Sequence, residues 1–317
     1  VFMKRLEEAL EAFCAAYMRA AKKPNLSQLH LWKKLVLEQA EKPHSFAIYH
    51  QALRSPIDYY TLGLDLMRPL VDVPASHILG LEVLHEIVAL LHRGENVIFL
   101  ANHQTEPDPQ LISLLLQKEG FSSLGEQLIY VAGHRVLQDP IAIPFSLGCN
   151  LLCIYSKKYV EQPPEQKQWK MTHNQKTMQQ LKNLLCRGGC AIFVAPSGGR
   201  DRSDALGKMR VAAFVPESIE LLALLAKQSL CPTHFYPLSL KTHVIMPAPS
   251  IIRHPIGEER EIAFGPIGLG FLPKLFSVSS EEEAPLSSQQ KTDRRVERAD
   301  AAWKQVSSVF ETLESNG

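Results

Sequence analysis

His103 and Asp108 stand five positions apart at the end of the stretch Val97 to Gln110, which reads V-I-F-L-A-N-H-Q-T-E-P-D-P-Q. An imidazole and a carboxylate at that separation can do acid–base chemistry. The carboxylate holds one ring nitrogen while the other takes a proton from a substrate hydroxyl. Val97 to Ala101 is a short apolar run between turn signals, which suits a buried strand. Pro107 and Pro109 flank the aspartate, and proline disfavours helix in the residue before it, so this link reads as a loop that folds the carboxylate back onto the ring. The pair would then sit at the carboxyl end of a strand, where open α/β sheets place their ligands. Taken alone it is ordinary, since the chain has 12 histidines and a His near an Asp is most often a surface polar pair or a cap. No second His or Cys stands nearby at ligand spacing, which disfavours a metal.

Two further strand ends carry unusual chemistry. One apolar run leads into Ser156-Lys157-Lys158-Tyr159, and another leads into Pro196-Ser197-Gly198-Gly199-Arg200-Asp201-Arg202. Two adjacent lysines are usually a solvated face. The second segment is harder to dismiss. Paired glycines permit conformations closed to other residues, and successive N–H groups in such turns can form an anion nest. Arg200 and Arg202 add forked, charge-assisted hydrogen bonds suited to a phosphate. Between Leu151 and Arg210, seven Lys and four Arg face four acidic residues, in a chain whose formal net charge is only +1.

The elements that must position these residues follow from periodicity. Residues 2 to 22 carry Phe2, Leu6, Leu10, Phe13 and Tyr17 at helical spacing, Ser27 is a plausible cap for a second helix to about Glu41, and a third runs from about Pro56 to Val71. This opening part has no strand signal and reads as a small helical-bundle domain over 1–78. From Leu79 the pattern changes to alternating strands and helices. Strands are expected at Val97 to Ala101, Leu128 to Ala132, Asn150 to Tyr155, Cys190 to Ala195, Thr233 to Leu240 and Glu261 to Phe264. Helices are expected over Leu111 to Gln117, Thr172 to Arg187, Glu217 to Lys227 and a last stretch from Val296 to Leu313. Alternation of this kind indicates an α/β domain over 79–317 with a large mixed sheet. Ser277 to Gln290 reads as a mobile surface loop. The strands ending at His103, Lys157 and Pro196 are expected side by side, so that their ends converge on one cleft.

Composition removes several classes. Hydrophobic content of 45% and charged content of 21% are ordinary for a soluble globular protein. The near-neutral charge gives no hint of nucleic-acid binding. Six scattered cysteines without a CxxC pair read as reduced, buried thiols rather than a disulfide framework or a zinc site. No secretory signal is visible, and the longest nearly uncharged stretch, Val136 to Ser156, is broken by Pro140, Pro144, Gly148 and Asn150, which argues against a membrane span.

Several segments together make the sequence similar to a known family. N-H-Q-T-E-P-D-P at 102–109, A-G-H-R-V-L-Q-D-P at 132–140, P-F-S-L-G-C-N-L-L-C at 144–153, Y-S-K-K at 155–158, A-P-S-G-G-R-D-R at 195–202 and Y-P-L-S-L at 236–240 resemble the soluble, chloroplast-type glycerol-3-phosphate acyltransferases. H-x4-D marks the wider glycerolipid acyltransferase superfamily, whereas P-S-G-G-R-D-R is sharper, because membrane-bound relatives usually carry Glu where this chain has Ser197. R-S-P-I-D-Y-Y at 54–60 and R-P-L-V-D at 68–72 extend the likeness weakly into the first domain.

The resemblance implies acyl transfer from a thioester, on acyl-carrier protein or coenzyme A, to the sn-1 hydroxyl of glycerol 3-phosphate. His103 and Asp108 fall on the catalytic pair, and Lys158, Arg200 and Arg202 on positions that bind the acceptor's phosphate. The family usually has His after the second lysine. Here Tyr159 stands there, offering a hydrogen bond without positive charge, with Lys157 available to compensate. The expected activity is glycerol-3-phosphate 1-O-acyltransferase, with no cofactor and no metal, in the cytoplasm or plastid stroma. The rivals are acylation of lysophosphatidic acid and a non-catalytic phospholipid- or acyl-chain-binding module.

Overall fold

The computed structural model describes residues 2–249, 260–279 and 287–315, with only the backbone of Lys157 and Lys158. Two amphipathic helices open the chain, α1 (Phe2–Ala20) and α2 (Leu26–Glu41). Asn25, not Ser27, caps α2: its side chain accepts from the backbone N–H of Gln28, while the Ser27 hydroxyl donates to Asn25. A two-residue strand β1 (Tyr49–His50), helix α3 (Tyr59–Met67) and strand β2 (His77–Leu79) follow. The expectation of no strand in this part is therefore corrected. Strands of two and three residues are too short to show a period of two, and they exist only because the sheet accepts them at its edges.

The remaining elements in order are α4 (Leu81–His92), β3 (Asn96–Ala101), α5 (Asp108–Lys118), α6 (Ser122–Gln127), β4 (Ile129–Gly133), α7 (Ile143–Leu147), β5 (Asn150–Ile154), α8 (Lys157–Val160), α9 (Lys167–Arg187) and β6 (Ala191–Val194). A small hairpin of β7 (Arg202–Ser203) and β8 (Met209–Arg210) precedes α10 (Pro216–Lys227), β9 (Thr233–Lys241), β10 (Gly268–Phe271), β11 (Phe276–Val278) and α11 (Ser288–Ser315). The main sheet has nine strands in the order β1-β5-β4-β6-β3-β9-β10-β2, with β11 also on β9. Neighbours among β5, β4, β6, β3 and β9 are all parallel; β1 pairs antiparallel with β5, β10 and β11 pair antiparallel with β9, and β2 joins β10 parallel. The sheet is mixed, as its sequence pattern implies.

Residues of β3 alternate between two cores. Val97, Phe99 and Ala101 face the side covered by α1 to α5 and α7, and Ile98 and Leu100 face α9 to α11. Burial on both faces is why this strand reads as an unbroken apolar run. Trp32 of α2, fully buried, lies 4.5 Å from the Phe13 ring of α1 and 6.0 Å from Phe145 of α7, so the first helices share the core of the sheet's first face.

Three further expectations are corrected. Glu261 to Phe264 is not a strand; the strand is β10, a few residues later. In its G-L-G-F sequence the glycines serve close approach. A Cβ on Gly270 would meet Val309 at 2.4 Å and one on Gly268 would meet Leu313 at 2.8 Å, so α11 lies against bare backbone. Of the loop expected over Ser277 to Gln290, the first residues complete β11 and the last begin α11, and 280–286 lie outside the described residues. All six cysteines are free thiols, but Cys186 is exposed, because Leu184 and Leu185 take the inward face of α9. No helix among the described residues is long and apolar enough to cross a membrane.

Candidate active site

Because β5, β4, β6, β3 and β9 are parallel, their carboxyl ends share one edge, and the loops leaving them meet there. β3 and β6 are neighbours, as expected for the His103 and Pro196 segments. β4 intervenes between β6 and β5, and so brings His134 and Arg135 to the same edge.

The turn out of β3 is held by Asn102. Its Oδ1 accepts from the Leu240 N–H at 2.7 Å, and its Nδ2 donates to the Leu240 carbonyl at 3.0 Å and to Asp201 Oδ2 at 2.9 Å. His103 follows, with Nδ1 2.7 Å from Asp108 Oδ2. Asp108 is not in a loop, as its prolines suggest, but opens α5, with Pro109 in the first turn where a missing N–H is harmless. Its carboxyl is 1% exposed while the His103 side chain is 31% exposed. Gln104 N–H also donates to Asp108 Oδ2 at 2.9 Å, and the Thr242 hydroxyl donates to Oδ1 at 2.5 Å. With donors converging on both oxygens, the ring Nδ1 carries the hydrogen of the His103–Asp108 bond. The Nε2 lone pair is then left on the exposed side of the ring, where a proton can be taken.

Asp201 ties the arginine segment to this turn. Its N–H donates to the His103 carbonyl at 2.6 Å, and its carboxyl accepts from Asn102, from Gln104 at 3.4 Å and from the Ala212 N–H at 2.9 Å. Burial pushes the Asp201 carboxyl up to about 6 against those hydrogen bonds, with the Asp108 charge adding to the rise. Gln104 Oε1 accepts from the Thr242 N–H at 2.8 Å, and Thr105 donates to the Met246 carbonyl at 2.6 Å, so the segment after β9 closes the far side.

The residues singled out for an anion are distributed as follows. Arg200, 13% exposed, has NH1 3.6 Å from Glu106 Oε1. Arg202 opens the β7–β8 hairpin and donates to the Pro249 carbonyl. Gly198 adopts φ 72°, the left-handed region that glycine allows, but its N–H turns inward to the Ala195 carbonyl at 3.0 Å. Lys157 and Lys158 lie in α8 just past β5; their side chains fall outside the described residues. Tyr159 packs edge-on to the His134 ring, 5.0 Å between centroids, and lines an open cleft of about 610 Å³ with Arg135, Tyr155, Trp169 and Lys170. Burial drops the His134 imidazole to about 4, helped by Lys170 and Arg135. Among the described residues no cluster of three or more His, Cys, Asp or Glu side chains could hold a metal.

Sequence reasoning assigned no role to Asn102, Gln104, Asp201 or Thr242. The first two flank His103 in the motif and Asp201 lies between the two arginines, so the motif itself was the available signal. Thr242 lies far along the chain and carried none.

The comparisons with known proteins bear on the family. Residues 77–241, just over half of the chain, match the acyltransferase family model. The chain is 41% identical over 260 residues to a chloroplastic glycerol-3-phosphate acyltransferase of Cucurbita moschata, covering 82% of this chain and 55% of that protein. It is 40% identical over 251 residues to the chloroplastic glycerol-3-phosphate acyltransferase of Spinacia oleracea, covering 79% and 53%. With the protein of the same name from Arabidopsis thaliana it shares 36% over 278 residues, covering 87% and 59%. The chain thus spans a little over half the length of these curated relatives. A buried carboxylate, an oriented imidazole and an arginine segment fixed to the same turn lie within or beside the matched span, and the chain belongs to the acyltransferase family.

Proposed function

We propose that this chain transfers a fatty acyl group from a thioester donor, acyl-carrier protein or coenzyme A, to the sn-1 hydroxyl of glycerol 3-phosphate. The observation that carries the reading is the 2.7 Å His103–Asp108 bond on a turn fixed to the arginine segment through Asp201. In this reading His103 Nε2 takes the proton of the sn-1 hydroxyl as its oxygen attacks the thioester carbonyl. Asp108 keeps the tautomer and favours the imidazolium as it forms. The tetrahedral intermediate collapses by breaking the carbon–sulfur bond, and the imidazolium returns its proton to the departing thiolate. Lysophosphatidic acid and the free thiol leave. The acceptor is itself the nucleophile, so no acyl-enzyme is needed.

Arg200, Arg202 and Lys158 bind the acceptor's phosphate, with Lys157 and Tyr159 beside them, which holds the sn-1 oxygen at the base. The names of the relatives support glycerol 3-phosphate as acceptor, and their chloroplastic designation supports the plastid stroma for this chain. In this reading residues 1–78 are the mainly helical part, which also lends β1 and the start of β2 to the sheet, and residues 79–317 carry the loops of the site.

Acyl transfer assayed with glycerol 3-phosphate and, separately, lysophosphatidic acid, each with acyl-carrier protein and coenzyme A donors, tests the proposal. Thioester-dependent acylation of glycerol 3-phosphate at sn-1 is the expected result. Preference for lysophosphatidic acid, or no turnover with either acceptor, would overturn it.

A further inference from the structure

The segment that leaves β5 is held from one side by a polar stripe on α9. Asn174 clasps the Tyr155 main chain: Oδ1 accepts from the Tyr155 N–H and Nδ2 donates to the Tyr155 carbonyl, each at 2.8 Å. His173 Nε2 donates to the Cys153 carbonyl at 2.9 Å, and the Thr177 hydroxyl lies 3.0 Å from the same oxygen. Lys170, 5% exposed, donates from Nζ to the Tyr159 carbonyl at 2.9 Å and to the Gln162 carbonyl. Residues 170, 173, 174 and 177 are three and four apart, so they share one face of α9. In the sequence that face, within K-M-T-H-N-Q-K-T at 170–177, looks like a solvated one.

The stripe matters most at α8. Its 4 residues make a single turn, which is marginal by itself, and the last carbonyls of any helix lack partners within it. An ammonium has three donors and no acceptor. Lys170 can therefore serve two carbonyls at once, Tyr159 in the turn and Gln162 just past it. Its Nζ also lies 5.4 Å from the centroid of the Tyr155 ring, within reach of a cation–π attraction. Asn174 thus fixes the chain just before α8 and Lys170 fixes where α8 ends. The turn between them carries Lys157, Lys158 and Tyr159, and Tyr159 lines the open cleft.

We propose that Lys170 is a positioning residue for acceptor recognition: by tying the end of α8 to α9, it sets the placement of the turn that carries Lys158 and Tyr159 beside the acceptor's phosphate. This rests on the reading of Lys158 and Tyr159 as residues of the phosphate site. It adds a residue outside the Y-S-K-K and P-S-G-G-R-D-R segments. Lys170 acts through main-chain carbonyls and not on the phosphate itself.

The test is steady-state kinetics on the full chain carrying Lys170→Met, Lys158→Ala and the two together. Lys170→Met is expected to raise the acceptor KM about ten-fold, the size of a lost charged hydrogen bond, while kcat and the donor KM stay within about two-fold. A residue that only supports the fold would lower the active fraction, and so kcat, instead. In the double variant the acceptor KM is expected within about three-fold of that of Lys158→Ala alone, because Lys170 works through the turn that Lys158→Ala has already disabled. Lys170→Gln keeps one donor for the carbonyls without the charge and should raise the acceptor KM about three-fold, again with little added to Lys158→Ala; this pair decides the matter if the methionine variant does not fold. An unchanged acceptor KM in the Lys170 variants while Lys158→Ala raises it, a loss confined to kcat, or fully multiplicative effects in the double variant overturns the inference. Multiplicative effects would make Lys170 a direct ligand of the anion. An unchanged acceptor KM in Lys158→Ala instead overturns the phosphate reading beneath it.

Discussion

Thr242 donates its hydroxyl to Asp108 at 2.5 Å across 134 residues of chain. The bond joins the end of β9 to the first turn of α5, and it fixes which oxygen of Asp108 is left for His103. Replacing Thr242 with Val keeps the shape and removes the donor, leaving Asp108 Oδ1 short of a partner in a nearly inaccessible site. A loss of about 1–3 kcal/mol of stability is expected from denaturant unfolding. With it, kcat should fall about ten-fold as the imidazole loses its fixed orientation. The acceptor KM should hardly move, and a change confined to that constant would argue against an orienting role for Thr242.

His103→Ala and Asp108→Asn are expected to lower kcat by about 10²- to 10⁴-fold, the usual range for general acid–base help. Calorimetric titration with glycerol 3-phosphate should still detect binding, because neither side chain holds the phosphate. Near-normal turnover by the His103 variant would sink the mechanism.

Arg200→Ala and Arg202→Ala are expected to raise the acceptor KM about ten- to a hundred-fold each, the range of a lost charged hydrogen bond. The donor KM should stay put. If it is the donor constant that rises, these arginines belong to the donor's binding surface.

Asp201 makes stability depend on pH in an identifiable direction. Its folded carboxyl is lifted from 3.8 to about 6, so between those values the folded state binds the extra proton. Its buried charge therefore opposes folding above about pH 6, and that penalty is relieved as the pH falls towards 4. Asp201→Asn does not titrate. From pH 7 to pH 4.5 wild type should gain on the variant by roughly 2 kcal/mol in urea unfolding, the value of a shift this size. Parallel stability profiles for the two proteins would rule out the titration.

Much of the site was legible before folding. The apolar run of β3, the polar turn after it and the Gly-Gly-Arg-Asp-Arg segment are local patterns, and hydrophobic burial with backbone geometry is enough to interpret them. β10 was not legible, because its glycines are there for α11 to approach, and a residue chosen for another element's sake looks like a turn in its own. β1 and β2 were hidden for a similar reason: each is a strand only through its neighbour's hydrogen bonds. Asp108 was misread as loop because proline punishes helix interiors but not first turns, and the local signal for the two is the same.

By itself the sequence determined that an α/β sheet would display His103 and Asp108 at a strand end, with a basic, glycine-bearing segment elsewhere on the chain. Those are properties of residue type and spacing over a dozen positions. Only the tertiary structure decided that β6 lies beside β3, that Asp201 locks the two turns together, and that Thr242 completes the cage around Asp108. Each of these is a contact between residues far apart in the chain. No local pattern encodes such contacts, because they form when separate strand ends are brought to one edge and buried polar groups must find partners there.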